Sequence, residues 1–407
     1  MTLAPTKINN KNSVYIRKVH TNIKKIDTPF LEWLTGFVDA GGNFNISLRN
    51  YSSQDNKYNS LILTFQIGLN LDDLEVLKFI QKKLGCGKIS ISKNKCNFFV
   101  NDQASLINII VPVFNFVPLK SSKYFQFLIF EKAVTLIKSK GHLTDRGRNE
   151  MIKFYHEIKN PSIYLKASPA LSPINKYWLG GFVDGDGSFS AHLNRPVFKF
   201  ENHVKELPLF KAIVNYFQFG NINTYKTRNN SSQVVTIEFN NIHFLKNVIV
   251  SLFTRIKLLN SKNLKDFNYF CILVDIYYYG YHTIPEGKSL AIEITSNWNN
   301  FRFSTYKTPF IDFKKKYQIL SNIPSPFVIK DGGLRFYRNT LNLVSDKIRI
   351  TAIDHLNNVA IFSSISECSR ILQIDRATIK KYLLNGQIYK NYRFKFNNFI
   401  YFDRKEG

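Results

Sequence analysis

The chain has 407 residues, of which 44% are hydrophobic and 21% charged, enough apolar material for packed cores and too much for a disordered polymer. Its 56 Lys+Arg against 29 Asp+Glu give a net charge of +27 and a pI near 9.8, a balance that selects a polyanionic partner, nucleic acid first, with a ribosome-associated or merely basic protein as the plainer reading. Four cysteines (Cys86, Cys96, Cys271, Cys368) form no C-x-x-C pair and no cluster with histidine, which argues against a zinc site or a disulfide framework and fits a reduced compartment. The longest apolar run, 106–119, is broken by Asn108, Pro112, Asn115 and Pro118 and is too short to span a bilayer, so no membrane partner is expected.

In chain order, residues 1–27 form a basic tail without the apolar core of a signal peptide. Thr28-Pro29 offers a helix start, and the helix it opens reads Leu34-Thr-Gly-Phe-Val-Asp-Ala-Gly-Gly-Asn-Phe44 at its end. After the paired glycines the period switches to two: Asn43, Asn45, Ser47 and Arg49 alternate with Phe44, Ile46 and Leu48, the pattern of a strand with one buried and one polar face. A helical pattern follows at Leu74, Leu77, Phe79 and Ile80, then Gly85-Cys-Gly-Lys-Ile89, then Leu119-Lys-Ser-Ser-Lys123 and His142.

The same succession then recurs. Ser172-Pro173 precedes Leu179-Gly-Gly-Phe-Val-Asp-Gly-Asp-Gly-Ser-Phe189, and Ser188, Ser190, His192 and Asn194 alternate with Phe189, Ala191 and Leu193. Leu207, Phe210, Ile213 and Val214 repeat the helix, Phe219-Gly-Asn-Ile222 the glycine turn, and Leu259-Asn-Ser-Lys262 and His282 the later elements. The chain is therefore a duplication, with a first repeat at 28–160, a linker at 161–171 and a second repeat at 172–305. Each unit reads α-β-β-α-β-β-α, an α+β arrangement with antiparallel sheets, and two polar sheet faces side by side would form a saddle suited to a duplex. The repeats are unequal. Gly42 and Gly87 lie 45 positions apart but Gly187 and Gly220 only 33, a shortfall that falls in the first hairpin of the second repeat, where Pro196 is expected to end any regular ladder.

Beyond the repeats, 306–350 carries Pro309, Pro324 and Pro326 and reads as an irregular connector. The region 351–407 reads as a small module: two short helices at 363–372 and 376–384, a turn at Gln373-Ile374-Asp375, a capping box from Ser364 and Glu367, and a closing strand at 389–396.

The two copies at Leu34 and Leu179 carry the resemblance. The chain resembles the two-motif homing endonucleases of the LAGLIDADG family, over roughly three-quarters of its length, and its flanking elements look most like those of intron-encoded proteins of fungal mitochondria. That resemblance implies an organelle-encoded mitochondrial protein, a monomer that acts on double-stranded DNA with Mg2+. Gly36 with Ala40, and Gly181 with Gly185, sit four apart on one helix face, where small residues let the two motif helices pack closely. In the family the eighth motif position is a carboxylate that holds the metal. Residue by residue this gives Asp186 in the second copy and Gly41 in the first, which has no ligand atom, so cleavage is expected to be reduced to nicking. Asp39 and Asp184, at the sixth position, are expected to bond backbone groups. Lys123 and Lys262 match the basic residue of the family's active-site pocket, acting either on the transition-state phosphate or only in phosphate positioning. His142 and His282 are expected to serve the fold.

The C-terminal module resembles the small helix-turn-helix repeats appended to such enzymes, which would aim Arg376, Thr378, Lys380 and Lys381 at bases or phosphates; a plain αα-hairpin gives the same spacing. Two further functional readings stay open at this point: an RNA maturase that helps a group I intron fold, and a DNA-binding pseudoenzyme.

Overall fold

A computed structural model describes residues 26–55, 57–159, 172–226, 233–298, 311–330, 333–344 and 348–397; the basic tail up to residue 25 and the expected linker lie outside them. The first repeat begins with α1 (Thr28–Gly41), which has Pro29 in its first turn and buries nine residues from Phe30 to Asp39. It runs directly into β1 (Gly42–Arg49), whose strict alternation of apolar and polar residues buries Phe44, Ile46 and Leu48 and leaves Asn43, Asn45, Ser47 and Arg49 on the other face. Then come β2 (Ser60–Asn70), α2 (Leu74–Leu84), β3 (Lys88–Ser92) and β4 (Lys95–Val100), which close a four-stranded antiparallel sheet in the order β1-β2-β4-β3. Gly85, at φ 67°, ends α2 in the left-handed conformation that glycine takes without penalty.

Three helices follow instead of the single one expected from periodicity: α3 (103–116, with a π-helical stretch at Leu106–Ile110), α4 (Lys123–Lys138) and α5 (Asp145–Lys159). The extra helices cover the buried face of the sheet. Phe44 sits at the centre, its ring 5.3 Å from those of Phe65 and Phe114 and 5.4 Å from that of Phe130.

The second repeat copies this order: α6 (Lys176–Asp186), β5 (Ser188–His192), β6 (Arg195–His203), α7 (Leu207–Phe217), β7 (Asn221–Lys226), β8 (Gln233–Phe239), α8 (242–255), α9 (Ser261–Tyr278) and α10 (Pro285–Asn297). Its sheet order is β5-β6-β8-β7, the same topology. Phe189 takes the place of Phe44, with Phe198, Phe267 and Phe270 rings within 5.2 Å. Ser172-Pro173 is not the helix start: α6 opens at Lys176, and Asn175 caps it by accepting from the Trp178 N–H at 2.9 Å.

The shortened hairpin differs from expectation in detail. Pro196 does not end the ladder but lies inside β6, paired with Ala191. The ring is tolerated because β8 begins its pairing only at Phe198, so no strand stands where Pro196 would have had to donate. Leu193 and Asn194 are not strand residues. At φ 47° and 64° they form a two-residue turn, Leu193 is 82% exposed, and the Asn194 side-chain Oδ1 accepts from the Thr295 hydroxyl at 2.6 Å.

The stretch expected to be irregular carries regular structure. Helix α11 (Phe313–Ser321) packs Phe313 and Leu320 into the second repeat's core, so that core runs past residue 305. The hairpin β9 (Phe327–Ile329) and β10 (Arg335–Tyr337) then docks on the end of α9, where the Arg335 guanidinium donates to the Tyr277 and Tyr278 carbonyls at 3.0 and 2.9 Å. Sequence reading missed this because the prolines punctuate the connections (Pro324 and Pro326) rather than the elements.

The C-terminal module is larger than two helices. It is a sheet in the order β12-β11-β14-β13, made of β11 (Ile350–Ile353), β12 (Val359–Phe362), β13 (Ile388–Tyr389) and β14 (Tyr392–Phe396), with α12 (Ile365–Leu372) and α13 (Arg376–Asn385) between its halves. Ser364 caps α12, and Glu367 answers to the Ser363 N–H at 2.6 Å. The module meets the second repeat through the Phe396 ring, 5.6 Å from that of His243.

His243 is 3% exposed, and burial, with Arg335 nearby, pushes its imidazole down to about 3. An unfolded chain takes up that proton below its ordinary value of 6.5, so stability drains away as pH falls through this window. Between pH 6 and pH 4.5 the parent should lose about 2 kcal/mol more unfolding free energy than His243→Phe, as read by urea titration. Equal losses would mean that His243 is not held neutral.

Candidate active site and nucleic-acid face

The two motif helices α1 and α6 cross at closest approach through glycine. A Cβ at Gly36 would stand 1.9 Å from the Trp178 carbonyl oxygen, and one at Gly181 1.8 Å from the Trp33 oxygen; lower down, Gly185 faces Ala40. This contact is fastened by exchanged hydrogen bonds. The Trp33 indole donates to Asp184 and the Trp178 indole to Asp39, both at 2.9 Å. Each aspartate also receives two backbone N–H groups from the segment leading into the next helix: Lys120 and Ser121 for Asp39, Leu259 and Asn260 for Asp184. Burial pushes the Asp184 carboxyl up to about 6, against those donors. The sixth-position aspartates thus join the repeats and place the later helices; they do not face the open side.

These bonds set the correspondence of the second element without a gap, so Leu119 matches Leu258 and Lys123 matches Lys262. Lys123 opens α4, and its ammonium donates to the Asp39 and Ala40 carbonyls, both at 2.8 Å. Burial lowers its proton affinity, opposed by the carboxylates of Asp39, Asp186 and Glu206. Asp186 ends α6; its Oδ2 accepts from Asn202 at 2.8 Å, and burial raises its carboxyl while Lys123 and Asn202 hold it down. Glu206, 5% exposed, accepts from the Ser122 N–H at 2.9 Å and from the Ser122 hydroxyl. Asp186, Lys123, Asn202 and Glu206 therefore form one polar centre at the seam.

Its twin is incomplete. Gly41 stands where Asp186 stands, and a Cβ added there would meet nothing within 4 Å. Strand register makes Leu69 the first repeat's counterpart of Asn202, because Phe65 pairs with Phe44 as Phe198 pairs with Phe189. Lys262 lines a cavity of about 470 Å³ with Asp73, Lys95 and Asn97, while the helix-end carbonyls of Val183 and Asp184 are taken by Asn263 at 2.8 and 2.9 Å. One half thus holds a carboxylate, an amide and an ammonium; the other holds an ammonium without its carboxylate.

A hard divalent cation needs oxygen donors, and Mg2+ in particular is held by one or two carboxylates with phosphates and water completing the shell. Asp186 fits that role, with Asn202 occupying only one of its oxygens. Gly41 offers no side-chain oxygen. Among the described residues no group of three or more His, Cys, Asp and Glu gathers for an all-protein metal cage.

The open sheet faces also differ. On the first, Asn43, Asn45, Ser47 and Arg49 stand beside Thr64 and Gln66, with Lys88 and Lys95 on the outer strands and no carboxylate among them. On the second, Ser188, Ser190 and His192 stand beside Lys199, which is paired at 3.4 Å with Glu201, and Glu238. The second face is therefore the weaker attractor of phosphate. In the C-terminal module Arg376 and Lys381 are exposed and Thr378 and Lys380 half-buried on α13.

Comparison with known proteins agrees with this architecture. Residues 34–134 and 179–274 match the family described as LAGLIDADG endonuclease, one match per repeat. Both repeats belong to the LAGLIDADG endonuclease family. It is 24% identical over 95% of its length to the uncharacterized mitochondrial protein RF1 of Saccharomyces cerevisiae, covering 86% of that protein. It is 27% identical to the probable intron-encoded endonuclease 3 of Neurospora crassa, over 62% of this chain; the chain spans about half of that relative, 51%. The structure of I-SmaMI bound to uncleaved DNA target in the presence of calcium ions shares the LAGLIDADG fold at a TM-score of 0.57 and 24% identity, over 66% of this chain and 98% of that one.

Sequence reading placed Asp186, Lys123 and the glycine pairs but not Asn202, Asn263, Asp73 or Glu206. The last two had a signal: in each repeat an acid stands immediately before the helical run, Asp73-Leu74 and Glu206-Leu207, at the same place once the short hairpin is allowed for.

Proposed function

We propose that this protein is a mitochondrial, intron-encoded homing endonuclease, a monomer that binds double-stranded DNA across both sheet faces and, with Mg2+, nicks one strand. The observation that carries this reading is the unequal pair of helix ends, Asp186 with Asn202 and Lys123 on one side and Gly41 with Leu69 on the other. A divalent cation held by Asp186 would supply Lewis acidity to the phosphate and a water of lowered pKa. Lys123 uses two of its three N–H donors on carbonyls, which fixes it and leaves one for a phosphate oxygen. Lys262, on the side where Gly41 replaces the helix-end carboxylate, contributes phosphate positioning. Nothing in the described geometry favours the maturase reading over this one.

Supercoiled plasmid carrying the intron-insertion junction should accumulate as nicked circle with little linear product, and chelation should stop the reaction. Linear product formed at the rate of the first cut would contradict the nicking reading, and no cutting in Mg2+ would contradict the endonuclease reading.

In this reading α13 sits in a DNA groove beyond the shortened second hairpin, adding contacts where that sheet face is weak. Alanine at Arg376, Lys380 and Lys381 together should weaken DNA binding by roughly 10- to 100-fold and flatten its salt dependence, while leaving the nicking rate of the saturated complex within about threefold. Unchanged affinity and salt slope would remove the module from the DNA interface.

A further inference from the structure

Glu206 belongs to the second repeat, yet its carboxylate is spent on the first: it accepts from the N–H and the hydroxyl of Ser122, at the start of α4. The next residue is Lys123, whose ammonium is fixed on the Asp39 and Ala40 carbonyls near Asp186. Asp186 and Glu206 both follow from the same repeat, and Asn202, which holds Asp186, lies four residues before Glu206 on the same run of chain. A continuous path of hydrogen bonds and covalent chain therefore joins Asp186 to Asn202, Glu206, Ser122 and Lys123 across the seam between repeats. Both Glu206 oxygens are occupied and the residue is 5% exposed, so it is placed to hold and not to ligate.

The other half contains a matched control. Asp73, 4% exposed, accepts from the Ser261 N–H at 2.7 Å, immediately before Lys262. The bond to the helix-start N–H is repeated, without the bond to the serine hydroxyl, on the side where Gly41 has removed the carboxylate.

We infer that Glu206 is a positioning residue for the nicking reaction: by clamping Ser122 it fixes the first turn of α4 and sets Lys123 against Asp186. A negative charge at that helix start is favourable in itself, which explains why each repeat carries one there, but only the Glu206 clamp ends at a complete centre. The inference rests on the proposed nicking function, and its test is built so that the two fail separately.

Full-length parent, Glu206→Ala, Glu206→Gln and Asp73→Ala would be compared in two measurements. The first is single-turnover nicking of the junction duplex at saturating protein. Glu206→Ala should slow it about 30-fold with DNA affinity changed less than about threefold, Glu206→Gln should recover part of the rate because its carbonyl oxygen still accepts from Ser122, and Asp73→Ala, which loosens only the phosphate-positioning Lys262, should slow it less than about threefold. The second needs no activity: brief acetylation by N-hydroxysuccinimidyl acetate, with each lysine read by peptide mass spectrometry. Lys123 should become several-fold more reactive in Glu206→Ala and stay at its parental level in Asp73→Ala. Ser122→Ala, which removes one of the two bonds, should shift both readouts in the same direction if Glu206→Ala folds poorly. Equal slowing by Glu206→Ala and Asp73→Ala would reduce Glu206 to a structural group. Unchanged Lys123 reactivity in Glu206→Ala would overturn the clamp, whereas a parent that cuts neither strand would overturn the nicking function instead.

Discussion

Asp186→Asn is expected to abolish nicking, by about 1,000-fold or more in the single-turnover rate, while DNA binding stays within a few-fold of the parent or tightens. The substitution keeps the size of the side chain and its contact with Asn202, because an amide oxygen can still accept where Oδ2 accepts now. What it removes is the negative charge, the one carboxylate at the helix ends suited to a hard cation, and the partner of the Lys123 ammonium. Since Gly41 provides no second carboxylate, nothing remains to carry a residual rate. Removing a negative charge from beneath a phosphate can only help binding. Retention of more than about a tenth of the parental rate would place the chemistry elsewhere in the protein.

Gly181→Ala should be severely damaging, costing about 4 kcal/mol or more of stability. The added carbon would lie 1.8 Å from the Trp33 carbonyl oxygen, which is backbone and has no rotamer to yield. Relief requires α1 and α6 to separate, and separation stretches the paired bonds from Trp33 to Asp184 and from Trp178 to Asp39. Those buried bonds to charged groups are worth about 1.5–3 kcal/mol each, and the aspartates left behind are costly to bury alone. Gly180→Ala on the next position is the control. Its methyl would meet the movable Ile256 Cγ2 at 2.7 Å, so it should cost far less. Denaturant titration of both variants would decide, and similar stabilities for the two would mean that the motif helices do not pack as described.

Much of this was legible in the sequence because duplication writes each feature twice. Phe44 and Phe189, each two residues beyond a glycine, announce the strand that hangs from the motif helix, and the period-two alternation named the open face of β1. Small residues four apart on one helix face, Gly36 with Ala40 and Gly181 with Gly185, announced the packing of α1 on α6. What stayed hidden depends on contacts between the copies. Nothing local in Trp33 or Trp178 says that its indole reaches an aspartate of the other repeat more than a hundred residues away. Asn202 is one asparagine among many, and only strand register brings it under Asp186. The helices after each sheet were undercounted in part because π-helical stretches, Leu106–Ile110 in α3 and Leu245–Val250 in α8, break the 3.6-residue period that marks a helix. Pro196 misled for a physical reason: its missing N–H matters only where a neighbouring strand stands, and β8 ends opposite Phe198, short of it.

The central claim is that the protein is an endonuclease with one working half, and the most direct test labels the two strands of the junction duplex separately. Parent, Gly41→Asp, and Gly41→Asp combined with Leu69→Asn would be followed under single-turnover conditions in Mg2+. Gly41 has open space for the new side chain, and Leu69→Asn supplies the amide that Asn202 gives to Asp186. The account predicts that the parent cuts one strand only, that Gly41→Asp begins to cut the other slowly, and that the double variant cuts it faster, with the first strand unchanged throughout. Matched cutting of both strands by the parent, or no second-strand cutting by either variant, would contradict it.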